Sequence, residues 1–125
     1  MTTEKAKHRV LVVDDNKGIF DLFNYSLDKD KYEVLYCANG KDALEMLNSE
    51  KVDIIFLDMI MPKMYGIEFL NKLKASNITI PPVVIMTGFA ADELIDEAIT
   101  LGALFCLRKP FDVNDITKTI SQVVH

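Results

Sequence analysis

The feature that most constrains this chain is an apolar run that ends in a single carboxylate, within the segment VDIIFLDMIMPKMYG at residues 52–66. Residues 54–57 are too few and too uniformly apolar for an amphipathic helix, and they are typical of a strand buried on both faces of a parallel sheet. Asp58 follows this run directly. We therefore expect the Asp58 carboxylate at the carboxyl end of a buried strand.

Five short apolar runs alternate with longer helical patterns along the chain. The runs cover residues 9–13, 33–37, 54–57, 83–86 and 103–108. The apolar positions of the helical patterns are Ile19, Leu22, Phe23 and Leu27; Ala43, Leu44 and Leu47; Gly66, Phe69, Leu70 and Leu73; Ala91, Leu94, Ile95 and Ala98; and Val113, Ile116, Ile120, Val123 and Val124. This alternation indicates successive βαβ units, so we predict an α/β fold with a parallel sheet and helices on both faces. Asp112 and Asp115 predict a capped start for the fifth helix.

Length and charge narrow the class of protein. The 125 residues fit one domain over 1–125, with residues 1–7 as a flexible N-terminal tail. The net charge of −5, without a basic cluster, argues against nucleic acid as a partner. Because the chain has neither a signal-peptide core nor a membrane-length apolar run, we expect a cytoplasmic protein that does not contact the membrane. Cys37 and Cys106 each lie in an apolar run, which favours small buried side chains over redox or metal chemistry.

Polar residues stand at the ends of four of the five runs. Asp14 and Asp15 follow the first run, Asp58 the third, Thr87 the fourth and Lys109 the fifth. Each of them alone fits an ordinary turn, helix cap or solvated strand end. Right-handed crossovers, however, bring the carboxyl ends of parallel strands to one edge of the sheet, where such sheets bind ligands. The joint pattern therefore predicts a functional site at this edge.

The residue types at this edge indicate the chemistry of the site. Three carboxylates that lie close together repel, so they either hold a proton between them or bind a cation. Oxygen ligands without His or Cys favour a hard ion such as Mg²⁺. A carboxylate such as Asp58 can also act as a nucleophile and form an aspartyl-phosphate, for which Lys109 supplies a positive charge and Thr87 a hydroxyl donor.

The motifs that contain these residues match a known family. They are LVVDDN at residues 11–16, IIFLDMIMPKMYG at 54–66, VVIMTG at 83–88 and LRKPF at 107–111, in the order and spacing of that family. The chain resembles the receiver domain of two-component response regulators, in particular the single-domain receivers of chemotaxis and sporulation. The resemblance implies a flavodoxin-like (βα)5 fold with the strand order 2-1-3-4-5.

The resemblance also implies a role for each acidic residue. Asp58 would accept a phosphoryl group from a phosphohistidine on a histidine kinase or a histidine phosphotransfer protein. Asp15, Asp58 and the backbone carbonyl of Ile60 would ligate Mg²⁺, with Asp14 acting through a metal-bound water. A receiver of this kind is not an enzyme beyond its own Mg²⁺-dependent phosphorylation and slow dephosphorylation, and it signals by altered binding to a target protein, as a monomer or a weak dimer.

Thr87 and Lys109 would contact the phosphoryl oxygens, and the resemblance implies a cis peptide bond before Pro110. Two departures from the family affect how the signal leaves the site and how long it lasts. Cys106 stands where the family usually has an aromatic residue that moves with the threonine, and Phe105 would face the other side of its strand. Apolar Ile60 and Phe89 occupy positions that are often polar, which would hinder attack by water and slow the self-dephosphorylation.

Other functions remain open from the sequence. A small Mg²⁺-dependent phosphohydrolase could use an aspartyl-phosphate, but such enzymes usually place a second acid two residues after the nucleophile, where this chain has Ile60. A nucleotide or flavin module would need a glycine-rich loop after the first strand, where the sequence is DDNKG. The chain ends at the fifth predicted helix, which favours a stand-alone receiver, although a fragment of a larger regulator would have the same sequence.

Overall fold

Strands and helices alternate along the whole described part of the chain. The structure is a computed structural model that describes residues 6–88 and 92–124. The strands are β1 (His8–Val13), β2 (Tyr32–Cys37), β3 (Ile54–Asp58), β4 (Val83–Thr87) and β5 (Cys106–Arg108). The helices are α1 (Lys17–Ser26), α2 (Gly40–Ser49), α3 (Gly66–Ala75), α4 (Asp92–Thr100) and α5 (Val113–Val123). The predicted alternation is confirmed.

The five strands form one parallel sheet in the order β2-β1-β3-β4-β5. Both the α/β fold and the predicted strand order are therefore confirmed. Every residue of β3 and β4 is buried, because these strands lie inside the sheet and have helices on both faces. This double coverage explains why their sequences carry no polar residue before the final Asp58 and Thr87.

Two hydrophobic layers cover the two faces of the sheet. The buried side chains of α2, α3 and α4 pack on one face, and those of α1 and α5 pack on the other. Successive residues of a strand alternate between these layers, so Ile55 and Leu57 face the first and Ile54 and Phe56 face the second. In the second layer Phe23 meets Phe56 edge to face, with ring centroids 4.6 Å apart.

The helices bury the faces that the apolar spacing predicts. Gly66, Phe69, Leu70 and Leu73 are the buried residues of α3. The start of α5 has the predicted cap, because the Asp112 side chain accepts from the Asp115 N–H while the Asp115 side chain accepts from the Asp112 N–H. Ala91, which was predicted on the buried face of the fourth helix, lies outside the described residues.

The start of β5 differs from the prediction. The apolar run predicted a strand over 103–108, but β5 begins only at Cys106. The chain leaves α4 through Gly102, which has a φ of 114°, and the Ala103 N–H donates to the Ala98 carbonyl at the end of that helix (3.0 Å). Closing the helix therefore uses a backbone group that a longer strand would need for its ladder, and apolar sequence alone does not reveal this competition.

The remaining boundaries lie close to those expected. β1 and β2 each begin one residue before their apolar runs, and His8 pairs with Tyr32 in their register. Residues 1–5 of the predicted flexible tail lie outside the described residues, and residues 6 and 7 are exposed without regular secondary structure. Over the described ranges, no helix is long and apolar enough to span a bilayer.

Candidate functional site

The carboxyl ends of the strands bring the predicted site residues to one edge of the sheet. Asp14 follows β1, Asp58 ends β3, Thr87 ends β4 and Lys109 follows β5. Asp14, Asp15 and Asp58 each offer a carboxylate oxygen within 4.8 Å of the other two. We call these three residues the acidic cluster. In residues 6–88 and 92–124 it is the one group of three or more His, Cys, Asp or Glu side chains with this spacing.

The members of the acidic cluster differ in their access to solvent. Asp14 is fully buried and Asp58 is 6% exposed, whereas Asp15 is exposed. Thr87, at 1% exposed, is buried beside the same edge. Two carboxylates are therefore held largely out of water, where an unbalanced charge is costly, and the third lies at the entrance to the site.

Lys109 is the cation of this site. Its ammonium Nζ lies 2.6 Å from Asp14 Oδ2 and 3.6 Å from Asp58 Oδ2. The Lys109 backbone N–H also donates to the Thr87 carbonyl at 2.9 Å, which ties the loop after β5 to the end of β4. One ammonium therefore contacts two of the three carboxylates, and the site has an excess of negative charge.

This excess of negative charge changes the acidity of Asp58. Burial raises the pKa of the Asp58 carboxyl to about 6, and the charge of Asp14 adds to the rise. Lys109 and the Ile60 N–H, which donates to Asp58 Oδ1 at 3.3 Å, lower this pKa in part. Near neutral pH the carboxylate is ionised but poorly stabilised, so a cation that binds beside it gains affinity from the same repulsion.

Asp14 has both carboxylate oxygens engaged by other groups. The Asn16 backbone N–H donates to Asp14 Oδ1 at 2.8 Å, while Lys109 occupies Oδ2. Asn16 is also the N-cap of α1, because its side-chain oxygen accepts from the Gly18 N–H at 2.9 Å. Asn16 was not among the predicted site residues, although an Asn directly before a helical pattern is a recognisable capping signal.

The loop after β3 is anchored by buried methionines. Met59, Met61 and Met64 are at most 8% exposed, whereas the Ile60 side chain between them is 50% exposed. A Cβ on Gly66 would lie 2.9 Å from the Met59 Cα, so only glycine allows the two ends of this loop to approach so closely. The loop is therefore packed on its inner side and presents one apolar side chain outward beside Asp58.

The residues expected to transmit a signal lie on opposite faces of the sheet. Cys106 packs against the layer that contains α4, and Phe105 packs against the layer of α1 and α5. Phe105 therefore faces away from the position of Cys106, as its one-residue offset predicts. The peptide bond between Lys109 and Pro110 is cis, which confirms the expectation from the resemblance. Phe89 lies outside the described residues.

The acidic cluster fits a small hard cation. All of its side-chain donors are carboxylate oxygens, the ligands that Mg²⁺ prefers, and Lys109 neutralises only part of their charge. Asp15 is exposed and Asp58 has one oxygen 3.6 Å from the ammonium, so neither is fully occupied by protein partners. The side chains that the fold brings together can therefore bind a cation such as Mg²⁺ beside the Asp58 carboxylate.

Comparison with known proteins places the chain in a family. The model of the response regulator receiver domain matches residues 10–121, and the chain belongs to that family. It is therefore a receiver of two-component signal transduction, and the predicted family is confirmed.

Relatives of known name agree with this assignment. The chain is 38% identical to sporulation initiation phosphotransferase F of Bacillus subtilis over 114 residues, which is 91% of each protein. It is 32% identical over 118 residues to the alkaline phosphatase synthesis transcriptional regulatory protein PhoP of Bacillus subtilis, covering 93% of this chain and 48% of that protein. Among solved structures, the chemotaxis response regulator CheY4 of Vibrio cholerae superposes with a TM-score of 0.85 at 30% identity, covering 95% of this chain and all of that one.

Proposed function

We propose that this receiver accepts a phosphoryl group on Asp58 from a phosphohistidine of a histidine kinase or a histidine phosphotransfer protein. The observation that carries the proposal is the position of Asp58 at the end of β3, with Oδ2 3.6 Å from the Lys109 ammonium and Asp14 and Asp15 beside it. In the transfer, an Asp58 oxygen forms the new P–O bond while the N–P bond of the donor breaks, and the donor imidazole keeps the electron pair.

The geometry favours Asp58 over the other two carboxylates as the acceptor. Asp14 is fully buried and both of its oxygens are already engaged. Asp15 is exposed and forms no ion pair among the described residues, so no ammonium is placed to stabilise a phosphoryl group there. Asp58 combines a weakly bonded oxygen with a nearby ammonium, as a nucleophile for phosphoryl transfer requires.

Mg²⁺ is the cofactor that this site would hold. Asp15, Asp58 and the backbone carbonyl of Ile60 would bind the ion, and Asp14 would act through a bound water. The ion would offset the negative charge that the phosphoryl oxygens bring to the acidic cluster. Lys109 and Thr87 would contact the same oxygens, one by charge and the other by its hydroxyl group.

The signal would leave the site through Thr87 toward the surface of α4, β5 and α5 and change the binding of a target protein. Cys106 stands on the α4 side of β5, so this output would not use the aromatic side chain that the family usually places there. The chain would act as a single domain over residues 1–125, in the cytoplasm, as a monomer or a weak dimer. With its net charge of −5, it would bind neither nucleic acid nor membrane.

A direct test is to incubate the protein with Mg²⁺ and acetyl phosphate and to measure its intact mass. We expect one added phosphoryl group, which Asp58→Asn and removal of Mg²⁺ both abolish. Asp53→Asn is the matched control, because Asp53 lies at the opposite edge of the sheet and should leave the labelling unchanged. No mass gain in the parent protein would refute the proposal, and rapid continuous phosphate release would favour the phosphohydrolase.

The lifetime of the phosphoryl group follows from the same mass measurement after the donor is removed. We propose that self-dephosphorylation is slow, because the half-exposed Ile60 side chain beside Asp58 hinders attacking water. Ile60→Asn should shorten the lifetime several-fold. Ile80→Asn is its control, since Ile80 is also exposed, at 44%, but lies outside the loops at the carboxyl edge. An unchanged or longer lifetime in Ile60→Asn would count against the apolar shield.

A further inference from the structure

The turn between β1 and α1 is fixed at both ends by hydrogen bonds. At its start, the Asp14 backbone N–H donates to the Cys37 carbonyl of β2 at 3.1 Å. At its end, the Asn16 carbonyl accepts from the Ile19 N–H at 3.0 Å, in the first turn of α1. Asp15 is the residue between these anchors, so its backbone has little freedom while both ends remain in place.

Asn16 makes the connections that close this turn. Its backbone N–H donates to Asp14 Oδ1 at 2.8 Å, and its side-chain oxygen accepts from the Gly18 N–H at 2.9 Å. The first bond connects the Asn16 backbone to the acidic cluster. The second connects the Asn16 side chain to the first turn of α1. A residue without a side-chain acceptor at this position would leave the Gly18 N–H without this bond and the turn less ordered.

We propose that Asn16 is a positioning residue for Mg²⁺, because its two hydrogen bonds order the turn that presents the Asp15 carboxylate to the metal site. The proposal rests on the proposed role of the acidic cluster as a Mg²⁺ site, and it adds a residue that itself touches no ion. An ordered turn means that Asp15 loses less conformational freedom when a cation binds. Removing the Asn16 side chain should therefore weaken Mg²⁺ binding while the three carboxylates stay in the sequence.

The chain contains a matched control for a general loss of helix capping. Asn39 is the N-cap of α2, and its side-chain oxygen accepts from the Asp42 N–H at 2.9 Å. Like α1, α2 is ten residues long, and it also follows a strand at the carboxyl edge. Asn39 has no hydrogen bond to the acidic cluster among the described residues. Asn39→Ala should therefore lower thermal stability and leave Mg²⁺ affinity unchanged.

The test is calorimetric titration of the whole 125-residue protein with MgCl₂, at a temperature where circular dichroism shows every variant folded. From the usual strength of an N-cap, Asn16→Ala should raise the Kd for Mg²⁺ by about threefold to tenfold. Asn16→Ser, which keeps a capping oxygen, should stay within about twofold of the parent Kd. If Asn16→Ala does not fold, Asn16→Gly removes the same oxygen at a smaller cost in helix stability and should still bind Mg²⁺ more weakly than the parent and Asn16→Ser, because it lacks the bond to the Gly18 N–H.

Three results would overturn the inference. The first is an unchanged Mg²⁺ affinity in folded Asn16→Ala or Asn16→Gly. The second is an affinity in Asn16→Ser as weak as that in Asn16→Ala, and the third is an equal loss in Asn39→Ala. Asp15→Asn separates these failures from a failure of the metal site. If Asp15→Asn loses Mg²⁺ while Asn16→Ala does not, the site holds and only the role of Asn16 is wrong. If the parent and Asp15→Asn bind Mg²⁺ equally or not at all, both proposals are wrong.

Discussion

At the amino edge of the sheet, one cation is surrounded by acceptors, whereas at the carboxyl edge a cluster of three carboxylates has one ammonium, which contacts only two of them. Arg9 Nη1 lies 2.7 Å from Glu50 Oε2, Nε lies 3.4 Å from Glu33 Oε1, and the Arg9 backbone N–H donates to Asp53 Oδ2 at 2.7 Å. The hydrogen bond with Glu50 raises the pKa of the Arg9 guanidinium, so the charged form is favoured. At the other edge, burial raises the pKa of Asp58, so the charged form is disfavoured.

The charged residues at the two edges therefore have different roles. The amino edge joins the starts of β1 and β2 to the segment before β3 through satisfied ion pairs, which contribute to stability. The acidic cluster should lower stability in the absence of a cation, and its carboxylates are those that we propose bind a metal ion and a phosphoryl group. The sequence shows charged residues at both edges. Only the contacts that these residues form in the folded protein tell a stabilising group of charges from a functional one.

Asp58→Asn tests how much the acidic cluster lowers stability. Of the substitutions compared, it should give the largest change in the free energy of unfolding. Because the pKa of Asp58 rises from 3.8 to about 6 on folding, ionising it in the folded protein costs up to about 3 kcal/mol at about 1.4 kcal/mol per pKa unit. The folded carboxyl holds its proton to a higher pH than the unfolded one, so the parent loses stability as pH rises from about 4 to about 6. Without Mg²⁺ at pH 7.5, Asp58→Asn should thus be more stable by up to this amount in urea unfolding.

The advantage of Asp58→Asn should shrink as the pH falls and approach zero below about pH 3, where the parent carboxyl is protonated in both the folded and the unfolded state. Millimolar Mg²⁺ should also reduce it, by binding the folded parent. Asp53→Asn at the amino edge should have the opposite sign and lose about 0.5–1 kcal/mol, because Asp53 accepts from the Arg9 N–H. If Asp58→Asn were less stable than the parent at pH 7.5, the acidic cluster would not lower stability, and the two edges would not differ in this respect.

Arg9→Met tests the amino edge. It keeps much of the apolar stem but removes the contacts to Glu33, Glu50 and the Lys51 carbonyl, so we expect a loss of about 1–2 kcal/mol in urea unfolding. The loss should be smaller in high salt, and Mg²⁺ affinity should not change. Lys29→Met removes the same charge from an exposed position and should change stability by less than about 0.5 kcal/mol. Equal effects of the two substitutions would mean that the ion pairs at Arg9 contribute nothing.

Two glycines give the finest comparison of the edges. Gly88 follows β4 at the carboxyl edge, and among the described residues a Cβ there would meet the Lys109 Cβ at an ordinary 3.6 Å. Gly88→Ala should therefore raise the melting temperature by an amount equal to about 0.4–1 kcal/mol. Gly102 at the amino edge has a φ of 114°, so Gly102→Ala should instead cost about 1–2 kcal/mol. A loss of stability in Gly88→Ala would mean that the backbone at Gly88 requires glycine despite the ordinary distance to Lys109.

Much of the fold follows from the sequence because burial on two faces requires continuous apolar runs. The runs at 54–57 and 83–86 located β3 and β4 to within their final polar residue. Where hydrogen bonding decides a boundary instead of burial, the pattern fails. Ala103 is as apolar as a strand residue, yet its N–H closes α4, and β5 starts three residues later at Cys106.

The members of the candidate site could be predicted because parallel strands present their carboxyl ends together, but the pairings within it could not. Sequence gives no reason why the Lys109 ammonium lies 1 Å closer to Asp14 than to Asp58, at 2.6 Å against 3.6 Å. In the folded protein Asp14 is fully buried and its other oxygen accepts from the Asn16 N–H, and neither feature can be read from the sequence. The contacts of Arg9 were missed for a similar reason, because they join residues that only the strand register brings together.

The two outermost strands of the sheet are unequal in length, with six residues in β2 and only three in β5. Because short ladders open more often than long ones, we expect the β5 side of the sheet to open locally at a lower free energy than the β2 side. Lys109 follows β5 directly, and its N–H is bonded to the Thr87 carbonyl, so such an opening should move the ammonium away from the carboxylates that follow β1 and end β3. We therefore expect amide hydrogen exchange at β5 to depend on the charge of the acidic cluster, and a ligand that replaces the lost positive charge should change the free energy of that opening.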